Sequence, residues 1–493
     1  MSKYSASIYN YLFNSINAIV MIVNGIIMVP IYFKFMSVST YGAWLATGNV
    51  VAMIGLVESG FSGVITQKMS VALAKEDFEK FKELAGANIY TALFMSIIVL
   101  IFGLSIYPFV ASWINADLSI RSSITEAYII SLFSAVISLL VSLFGAFPQV
   151  WQKTKTVGII NTVVNLISIG SLIIYLNLGF GVVSLALGYA TRSLLNLIGQ
   201  GIWIMQQWRK RELKIPVFKI QVAKDIVKDC FYPFLSKISN VLMTNSQSFI
   251  IALFVNTTAA TIFDITGKIA TVGCSFVSMA NGSFFALFSL TFAKRNTKDI
   301  NKLFRNVSSV FLNILLSALL YAAVFSESII HFWVGQEKFG GNTLLGLIIV
   351  SLLVIQLRQY FNNVLYSGGL MSKSAKLDIY SVLLFLVVLL LIIKSLGLYA
   401  IPIASIISGL VFGGLYLVFL KKELNVEIQI ILKQFSKIFI TVIVFLFIHF
   451  LLKINLLDIH NLIKYIFLFT CFYLIVLGFT NLNFLSRFKY GKK

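Results

Sequence analysis

Five basic residues lie inside long apolar stretches of the sequence: Lys464, and four that are considered together as a candidate site, namely Arg192, Lys237, Lys268 and Arg358. Charged side chains are costly in hydrocarbon, so they usually face a protein interior or a watery cavity and mark the path of a substrate or an ion. The guanidinium group of an arginine also donates two parallel hydrogen bonds, a geometry that suits phosphate. These four residues therefore predict a cationic cavity that binds an anion.

Three of these cations also have a structural explanation. Arg192 could form an ion pair with Glu58 or Glu126 of the same half of the chain. Lys237 lies about two turns from the end of its predicted helix, so its ammonium group could extend into water instead. Lys268 follows an acidic residue by four positions, the favoured spacing for an ion pair on one helix. Each of these alternatives stays open at the level of sequence.

Amide side chains accompany the cations at helical spacing. In the first predicted helix the asparagines are separated by 4, 3 and 7 residues, which places them on one face. Amides on one face either hydrogen-bond to neighbouring helices or line a cavity that offers donors and acceptors to sugar hydroxyl groups. The predicted polar lining of the cavity consists of Asn10, Asn14, Asn17, Asn24, Asn196, Asn240 and Gln359.

Two carboxylates in the same apolar stretches are the predicted sites of coupling to an ion. Glu58 lies deep enough to bind a proton or a cation, or to act as the counter-ion of a buried arginine. Asp264 precedes Lys268 by four residues, so a local ion pair is its default role. The three histidines and three cysteines lack ligand spacing, so we predict neither a metal site nor a disulfide framework.

Composition indicates the environment in which these residues lie. Of the 493 residues, 59% are hydrophobic and only 12% are charged, yet the net charge is +21. A soluble chain this apolar would precipitate, and a nucleic-acid-binding protein would carry more solvated charge. The composition is typical of a polytopic membrane protein with basic loops on one side, and no nucleic-acid partner is predicted.

About fourteen stretches are long and apolar enough to form transmembrane helices, each of which needs about 20 mostly apolar residues. The sequence therefore predicts an all-α membrane fold. The predicted cores are 9–33, 41–66, 87–110, 122–147, 156–176, 179–206, 230–255, 260–291, 306–333, 342–366, 377–393, 396–420, 437–452 and 461–482.

The distribution of basic residues predicts the orientation of these helices. If the N-terminus is cytoplasmic, 29 of the 39 lysines and arginines fall in cytoplasmic segments and five in external loops. This asymmetry predicts a multi-pass membrane protein with both termini in the cytoplasm. The longest loop separates two sets of six helices. The predicted organisation is an N-terminal bundle (1–206), a basic cytoplasmic linker (207–229), a second bundle (230–420) and a two-helix segment with a basic tail (421–493).

Two short motifs resemble a known family. After the polar first helix, residues 39–44 read Ser-Thr-Tyr-Gly-Ala-Trp, and residues 55–60 read Gly-Leu-Val-Glu-Ser-Gly. These stretches resemble the bacterial O-antigen and capsule-repeat flippases of the Wzx type, within the multidrug/oligosaccharidyl-lipid/polysaccharide exporter superfamily. In that family an aspartate recurs where this chain has Glu58, so the carboxylate is kept and its reach differs.

The resemblance implies two six-helix bundles in a V shape that open alternately to either side of the membrane. It implies a transporter rather than an enzyme, which moves an undecaprenyl-diphosphate-linked oligosaccharide from the cytoplasmic to the periplasmic leaflet. It further implies a proton or sodium gradient as the driving force, no bound cofactor, and membrane lipids and other polysaccharide assembly proteins as partners.

Three other functions are compatible with parts of the pattern. A peptidoglycan lipid-precursor flippase shares the predicted number of spans, but its family carries arginine in the first helix, where this chain has asparagine. A multidrug exporter would carry acidic residues in its central cavity. A membrane polysaccharide polymerase is an enzyme of similar hydropathy, but it usually has a large external loop, and the external loops here are short.

Overall fold

The computed structural model describes residues 3–54, 61–151, 153–210, 219–293, 296–429, 431–436 and 438–440, together with positions 443, 458, 461, 464–466 and 468–470. These residues are helical or lie in turns, and no strand occurs among them. The helices are α1 (Lys3–Phe35), α2 (Val38–Ile54), α3 (Phe61–Ala74), α4 (Phe78–Ile106), α5 (Val110–Trp113), α6 (Arg121–Phe144), α7 (Ala146–Val150), α8 (Thr154–Asn177), α9 (Val183–Lys210), α10 (Ile220–Asn245), α11 (Gln247–Phe254), α12 (Thr257–Ala293), α13 (Thr297–Val334), α14 (Asn342–Ser367), α15 (Met371–Leu396) and α16 (Ala400–Leu424).

Local sequence explains where several helices begin and end. Asp77 is the N-cap residue of α4, and its side chain accepts a hydrogen bond from the backbone N–H of Lys80 at 2.9 Å. Asn296 caps α13 in a similar way through the N–H of Lys298 at 3.1 Å. Such caps satisfy backbone donors that have no partner within the first turn. The helix α13 stops at Gly335, whose φ of 98° favours glycine.

Several helices are long and apolar enough to cross a membrane, which makes the fold that of an all-α multi-pass membrane protein. Their outward faces carry large apolar side chains such as Phe94 and Ile101, which are 62% and 64% exposed. Exposed side chains of this kind suit contact with lipid. Among the described residues the qualifying segments are Phe78–Ile106, Arg121–Val150, Thr154–Asn177, Thr257–Phe292, Thr297–Val334, Asn342–Ser367 and Met371–Leu424.

Each of the first twelve predicted spans falls on one or two of these helices. The second predicted span coincides with α2 and α3, the fourth with α6 and α7, and the seventh with α10 and α11, which meet at Ser246. Of the last two predicted spans, 437–452 lies almost wholly outside the described residues. The span 461–482 is described at a few positions only.

The chain divides into two compact units. Unit 1 comprises Met1–Thr261 and Ala375–Leu398. In unit 1, α6 packs against α9 and α4, while α8 packs against α9 and α1. Its core includes Tyr128, whose hydroxyl group donates to the backbone carbonyl of Gly103 at 2.7 Å.

Unit 2 comprises Ile262–Ser374 and Tyr399–Lys493. Here α14 packs against α16 and α13. Tyr360 lies at the centre, where its ring stacks on Phe311 at 4.3 Å and its hydroxyl group bonds to Ser308 at 2.7 Å. The chain passes from one unit to the other inside α12, inside α15 and just before α16. The bundles 1–206 and 230–420, with the linker and the C-terminal segment, stay predictions.

Three turns of unit 1 meet through hydrogen bonds. The Ser39 hydroxyl group donates to Asp117 Oδ2 at 2.9 Å and lies 2.7 Å from the hydroxyl group of Thr257. Asn115 Nδ2 donates to the backbone carbonyl of Ala252 at 3.1 Å. These hydrogen bonds join the starts of α2 and α12 to the turn that precedes α6.

The start of α2 approaches α12 at van der Waals distance through Gly42. A Cβ atom at this position would lie 1.8 Å from the carbonyl oxygen of Thr257 and 2.7 Å from the hydroxyl oxygen of Thr261. Thr261 in turn donates to the backbone carbonyl of Val38 at 2.7 Å. The packing therefore requires glycine at position 42.

Candidate functional site

A cavity of about 280 Å³ lies within unit 1 between α6, α7, α8 and α9. We call it the α9 cavity, because Arg192, Asn196 and Gln200 of α9 line it at successive helical turns. Asn161 of α8 lies on the opposite wall. The cavity therefore combines one guanidinium group with three amides.

Hydrogen bonds hold these amides in place. Gln200 Nε2 donates to Asn161 Oδ1 at 2.8 Å and, more weakly, to Asn196 Oδ1 at 3.4 Å. Asn196 Nδ2 donates to the backbone carbonyl of Arg192 at 3.1 Å. Each amide keeps further donor or acceptor capacity, because an amide oxygen has two lone pairs and an amide nitrogen two hydrogens.

Arg192 is half-buried and has no carboxylate partner among the described residues. Glu126, one of the two acids considered as a partner, is exposed and lines a different groove, beside Arg121 and Tyr107. The other, Glu58, lies outside the described residues. The guanidinium group of Arg192 is therefore positioned to donate hydrogen bonds into the α9 cavity.

A second cavity of about 360 Å³ adjoins the first. The two share Ser138 and Ser142 of α6 as lining residues. The second cavity extends to Trp44 and Gly48 of α2, and Tyr189 of α9 lies on its wall one turn from Arg192. Together the cavities form a continuous space along α6 and α9 in unit 1, which is polar beside Arg192 and mainly apolar beside α2.

The asparagines of α1 have different surroundings. Asn17 Oδ1 accepts hydrogen bonds from Asn165 Nδ2 at 2.9 Å and from the Thr162 hydroxyl group at 3.3 Å, so it joins α1 to α8. The Oδ1 atom of Asn24 is buried with no hydrogen-bond partner in the described part of the chain. The side chains of Asn10 and Asn14 lie outside the described residues.

The polar residues of α10 lead to a carboxylate that the sequence analysis missed. Lys237 is exposed, and Asn240 Nδ2 donates to the backbone carbonyl of Ser236 at 2.9 Å. The hydroxyl group of Ser236 donates to Asp378 of α15, whose side chain is fully buried in unit 1. Asp378 is one of the first residues of a predicted apolar span. An acidic residue inside such a span is the sequence signal that could have identified it.

In unit 2, Lys268 and Asp264 form the local ion pair that their spacing allows. Lys268 Nζ lies 3.2 Å from Asp264 Oδ2, and both side chains are about a quarter exposed. Each group therefore has a neutralising partner on its own helix. Their roles in substrate binding and ion coupling stay predictions.

Arg358 is enclosed by protein. Its side chain is 1% exposed and is among the largest fully buried side chains of the described residues. Its neighbours on α14 bind α12, since Gln356 Nε2 donates to the Ser278 hydroxyl group at 3.2 Å and Asn363 Nδ2 donates to Asn281 Oδ1 at 3.0 Å. Gln359, on the same helix, is half-buried. In this conformation the guanidinium group of Arg358 lies away from open space.

The four interior cations thus differ in surroundings. Arg192 lines a cavity and Lys237 is exposed, both in unit 1, whereas Lys268 is ion-paired and Arg358 enclosed, both in unit 2. No cluster of three or more histidine, cysteine or acidic residues that could hold a metal ion occurs among the described residues.

Comparison with known proteins identifies both a family and a fold. A family model described as polysaccharide biosynthesis protein matches residues 7–292, which is more than half of the chain. The structure of the lipid II flippase MurJ in an inward closed conformation is similar with a TM-score of 0.70 and 15% sequence identity, covering 97% of this chain and 100% of that one.

Two further structures share the fold. A multidrug resistance transporter of the MATE family, in an inward-facing conformation, is similar with a TM-score of 0.67 and 15% identity, covering 83% of this chain and 96% of that chain. A transporter of the MOP superfamily from Pyrococcus furiosus has a TM-score of 0.57 and 15% identity, covering 84% and 94%. No curated protein matches the sequence.

Proposed function

Because the chain belongs to the polysaccharide biosynthesis protein family, we propose that it is a flippase for undecaprenyl-diphosphate-linked oligosaccharide. The proposed substrate is an O-antigen or capsule repeat unit, which moves from the cytoplasmic to the periplasmic leaflet by alternating access. The proposed location is the bacterial inner membrane with both termini in the cytoplasm, which the distribution of basic residues supports. Other polysaccharide assembly proteins are the proposed partners.

The single observation that supports this substrate is the α9 cavity. A half-buried arginine without a carboxylate partner in the described part of the chain attracts an anion, and its fork of donors matches the oxygens of a diphosphate. Beside it, Asn161, Asn196 and Gln200 offer amide groups to sugar hydroxyls. An anion that carries sugars satisfies both kinds of group.

The same cavity suits transport better than tight binding. The α9 cavity offers one cation to a diphosphate, so the head group can be held and then released. The polyprenyl tail can stay in lipid beside the apolar helices while the polar head group crosses through hydrated space. Transport by this route requires no covalent chemistry, so we propose a transporter rather than an enzyme.

Coupling to a proton or sodium gradient is part of the proposal. Of the predicted coupling residues, Glu58 lies outside the described residues and Asp264 is paired with Lys268. Asp378 is a third candidate, because it is a fully buried carboxylate that accepts a hydrogen bond from Ser236. Buried carboxylates in membrane spans commonly mark ion pathways.

A peptidoglycan lipid-precursor flippase is the second candidate function. The similarity to MurJ extends over nearly the whole of both chains and supports this alternative at the level of fold. The two candidates predict different phenotypes. A strain that lacks the proposed flippase accumulates lipid-linked polysaccharide repeat units on the cytoplasmic side, whereas loss of the alternative blocks cell-wall synthesis.

Complementation of such a deletion strain tests the proposal. We expect Arg192→Gln to reduce surface polysaccharide about tenfold or more, since a charge-assisted hydrogen bond contributes roughly 1.5–3 kcal/mol. Arg209→Gln is the matched control, because Arg209 is an exposed arginine of the same helix outside the cavity. Protein levels are compared in both variants.

Three outcomes would overturn parts of the proposal. Full surface polysaccharide in the Arg192→Gln strain would exclude the cationic cavity. Single repeat units attached to the outer lipid in the deletion strain would indicate a polymerase. Accumulation of peptidoglycan precursor would indicate the second candidate function.

A further inference from the structure

A polar hollow separate from the α9 cavity lies in unit 1 between α3, the start of α4 and the first turns of α10. Its volume is about 410 Å³. The charged residues that line it are Lys68, Lys75, Asp77, Lys80 and Asp225, and we call it the Lys–Asp hollow. The distribution of basic residues in the loops places this end of the helices at the cytoplasmic leaflet.

Ion pairs fix the walls of the hollow. Lys68 of α3 pairs with Asp229 of α10, and Lys219 at the start of α10 pairs with Glu83 of α4. The hydrogen bond with Glu83 raises the pKa of Lys219 above its ordinary value. Both contacts join α10 to the opposite wall of the hollow.

The charges inside the hollow are of both signs. Lys75 is exposed and has no ion-pair partner among the described residues, and Lys80 makes only a long contact of 3.5 Å with Glu83. On the α10 wall, Asp225 Oδ1 accepts a weak hydrogen bond from Gln221 at 3.3 Å and keeps further acceptor capacity. Asp77 also lines the hollow, and its Oδ1 already accepts a hydrogen bond from the backbone N–H of Lys80 at 2.9 Å. Besides this capping carboxylate, the hollow offers two ammonium groups and the Asp225 carboxylate at the same time.

Apolar residues surround these charges. Val71 lines the hollow and is 48% exposed, while Phe78 and Ile220, next to its polar residues, are 58% and 64% exposed. A soluble anion makes no favourable contact with such an apolar border, whereas the acyl chains of a lipid can pack against it. Basic pockets between membrane helices on the cytoplasmic side are also a known type of lipid head-group site.

We propose that the Lys–Asp hollow binds the head group of a zwitterionic aminophospholipid of the phosphatidylethanolamine type. Lys75 and Lys80 contact the phosphodiester, and Asp225 contacts the primary ammonium group. A lipid with only negative charge would be repelled by Asp225, and a lipid with a quaternary ammonium group would lack the N–H donors that a carboxylate accepts. This site does not depend on the proposed transport activity.

Native mass spectrometry of the full-length purified protein tests the site. The probes are phosphatidylethanolamine, phosphatidylglycerol and phosphatidylcholine with identical acyl chains. We expect phosphatidylethanolamine to be retained preferentially, and the double change Lys75→Gln with Lys80→Gln to reduce its retention about thirtyfold, since each lysine near a head group contributes roughly 1 kcal/mol. Lys82→Gln is the matched control, because Lys82 pairs with Glu79 at 2.8 Å and does not line the hollow.

The second variant separates the two halves of the head group. The Asp225→Asn variant should retain phosphatidylethanolamine no better than it retains phosphatidylglycerol. Its unfolding temperature should stay within a few degrees of that of the wild type. Equal retention of the three lipids by the wild-type protein would overturn the proposal. So would preferential retention of phosphatidylglycerol, which indicates an anionic-lipid site, or displacement of the lipid by inorganic phosphate, which indicates a site for a free anion.

Discussion

An arginine side chain can bind a ligand only where its donors reach open space, and the two interior arginines differ in this respect. Arg192 is half-buried and lines the α9 cavity, whereas Arg358 is 1% exposed within unit 2. A guanidinium group that protein encloses is part of the packed interior, and its removal leaves the surrounding polar groups with fewer partners. The two positions should therefore respond differently to substitution.

Arg358→Gln should destabilise the protein more than Arg192→Gln. We expect the first change to lower the free energy of unfolding by about 3 kcal/mol, as for a broken buried polar network, and the second by less than about 1 kcal/mol. Thermal unfolding of both purified variants in the same detergent measures the difference. Equal unfolding temperatures would contradict the placement of Arg358 in the interior.

Asp378 and Ser236 provide a second test at the scale of single residues. Ser236→Ala leaves a fully buried carboxylate with one hydrogen-bond donor fewer, which should cost about 1–3 kcal/mol. Asp378→Asn removes the charge and keeps an oxygen that can accept from Ser236, so its cost should be smaller. Thermal unfolding measures both effects, and a larger loss in Asp378→Asn would show that the carboxylate itself stabilises the fold.

At the scale of helices, polar residues inside the spans serve mainly to join neighbouring elements. Asn17 binds Asn165 and thereby joins α1 to α8, and Asn363 binds Asn281 and joins α14 to α12. Hydrogen bonds between membrane helices typically contribute about 0.6–2 kcal/mol each. The stripe on α9 differs because a cavity, rather than a helix, lies beside Arg192.

The close approach of α2 and α12 makes Gly42→Ala a strongly destabilising change. An added Cβ would lie 1.8 Å from the backbone carbonyl oxygen of Thr257, so the two helices must separate. We expect a loss of about 1–3 kcal/mol, the usual cost of overpacking, measured as a lower unfolding temperature. Gly48→Ala, in the same helix with nothing within 4 Å of the added atom, is the matched control and should leave the unfolding temperature unchanged.

At the scale of the whole molecule, most of the net charge of +21 concerns orientation rather than substrate. The basic residues are concentrated in alternate loops, and only a few lie within the spans. The positive-inside rule predicts that the basic loops lie in the cytoplasm. The fold shared with MurJ and the MATE transporter agrees with a multi-pass membrane protein.

Labelling of single cysteines in intact cells tests the predicted orientation. In a background without Cys230, Cys274 and Cys471, we expect Leu118→Cys to react with a membrane-impermeant maleimide and Lys298→Cys to stay unlabelled until the cells are lysed. Both residues are exposed in the structure, Leu118 at 81%. The opposite pattern would reverse the topology.

Sequence reasoning located the helices well because hydrophobicity over about 20 residues is a local property that needs no knowledge of neighbours. It located Arg192, Asn196 and Gln200 on one face for the same reason, since a helix repeats every 3.6 residues. It missed Asn161 and Asp378, whose significance comes from contacts with residues far away in the chain: Asn161 binds Gln200, and Asp378 binds Ser236.

The sequence by itself determined that this protein is an all-α, multi-pass membrane protein, and helical periodicity determined which side chains share a face. Only the tertiary structure decided what each face meets. Similar polar stripes on α9 and α14 meet a cavity and a neighbouring helix, respectively. The physical reason is that periodicity relates the side chains of one helix to each other, whereas the rotation of that helix about its axis depends on packing against distant segments.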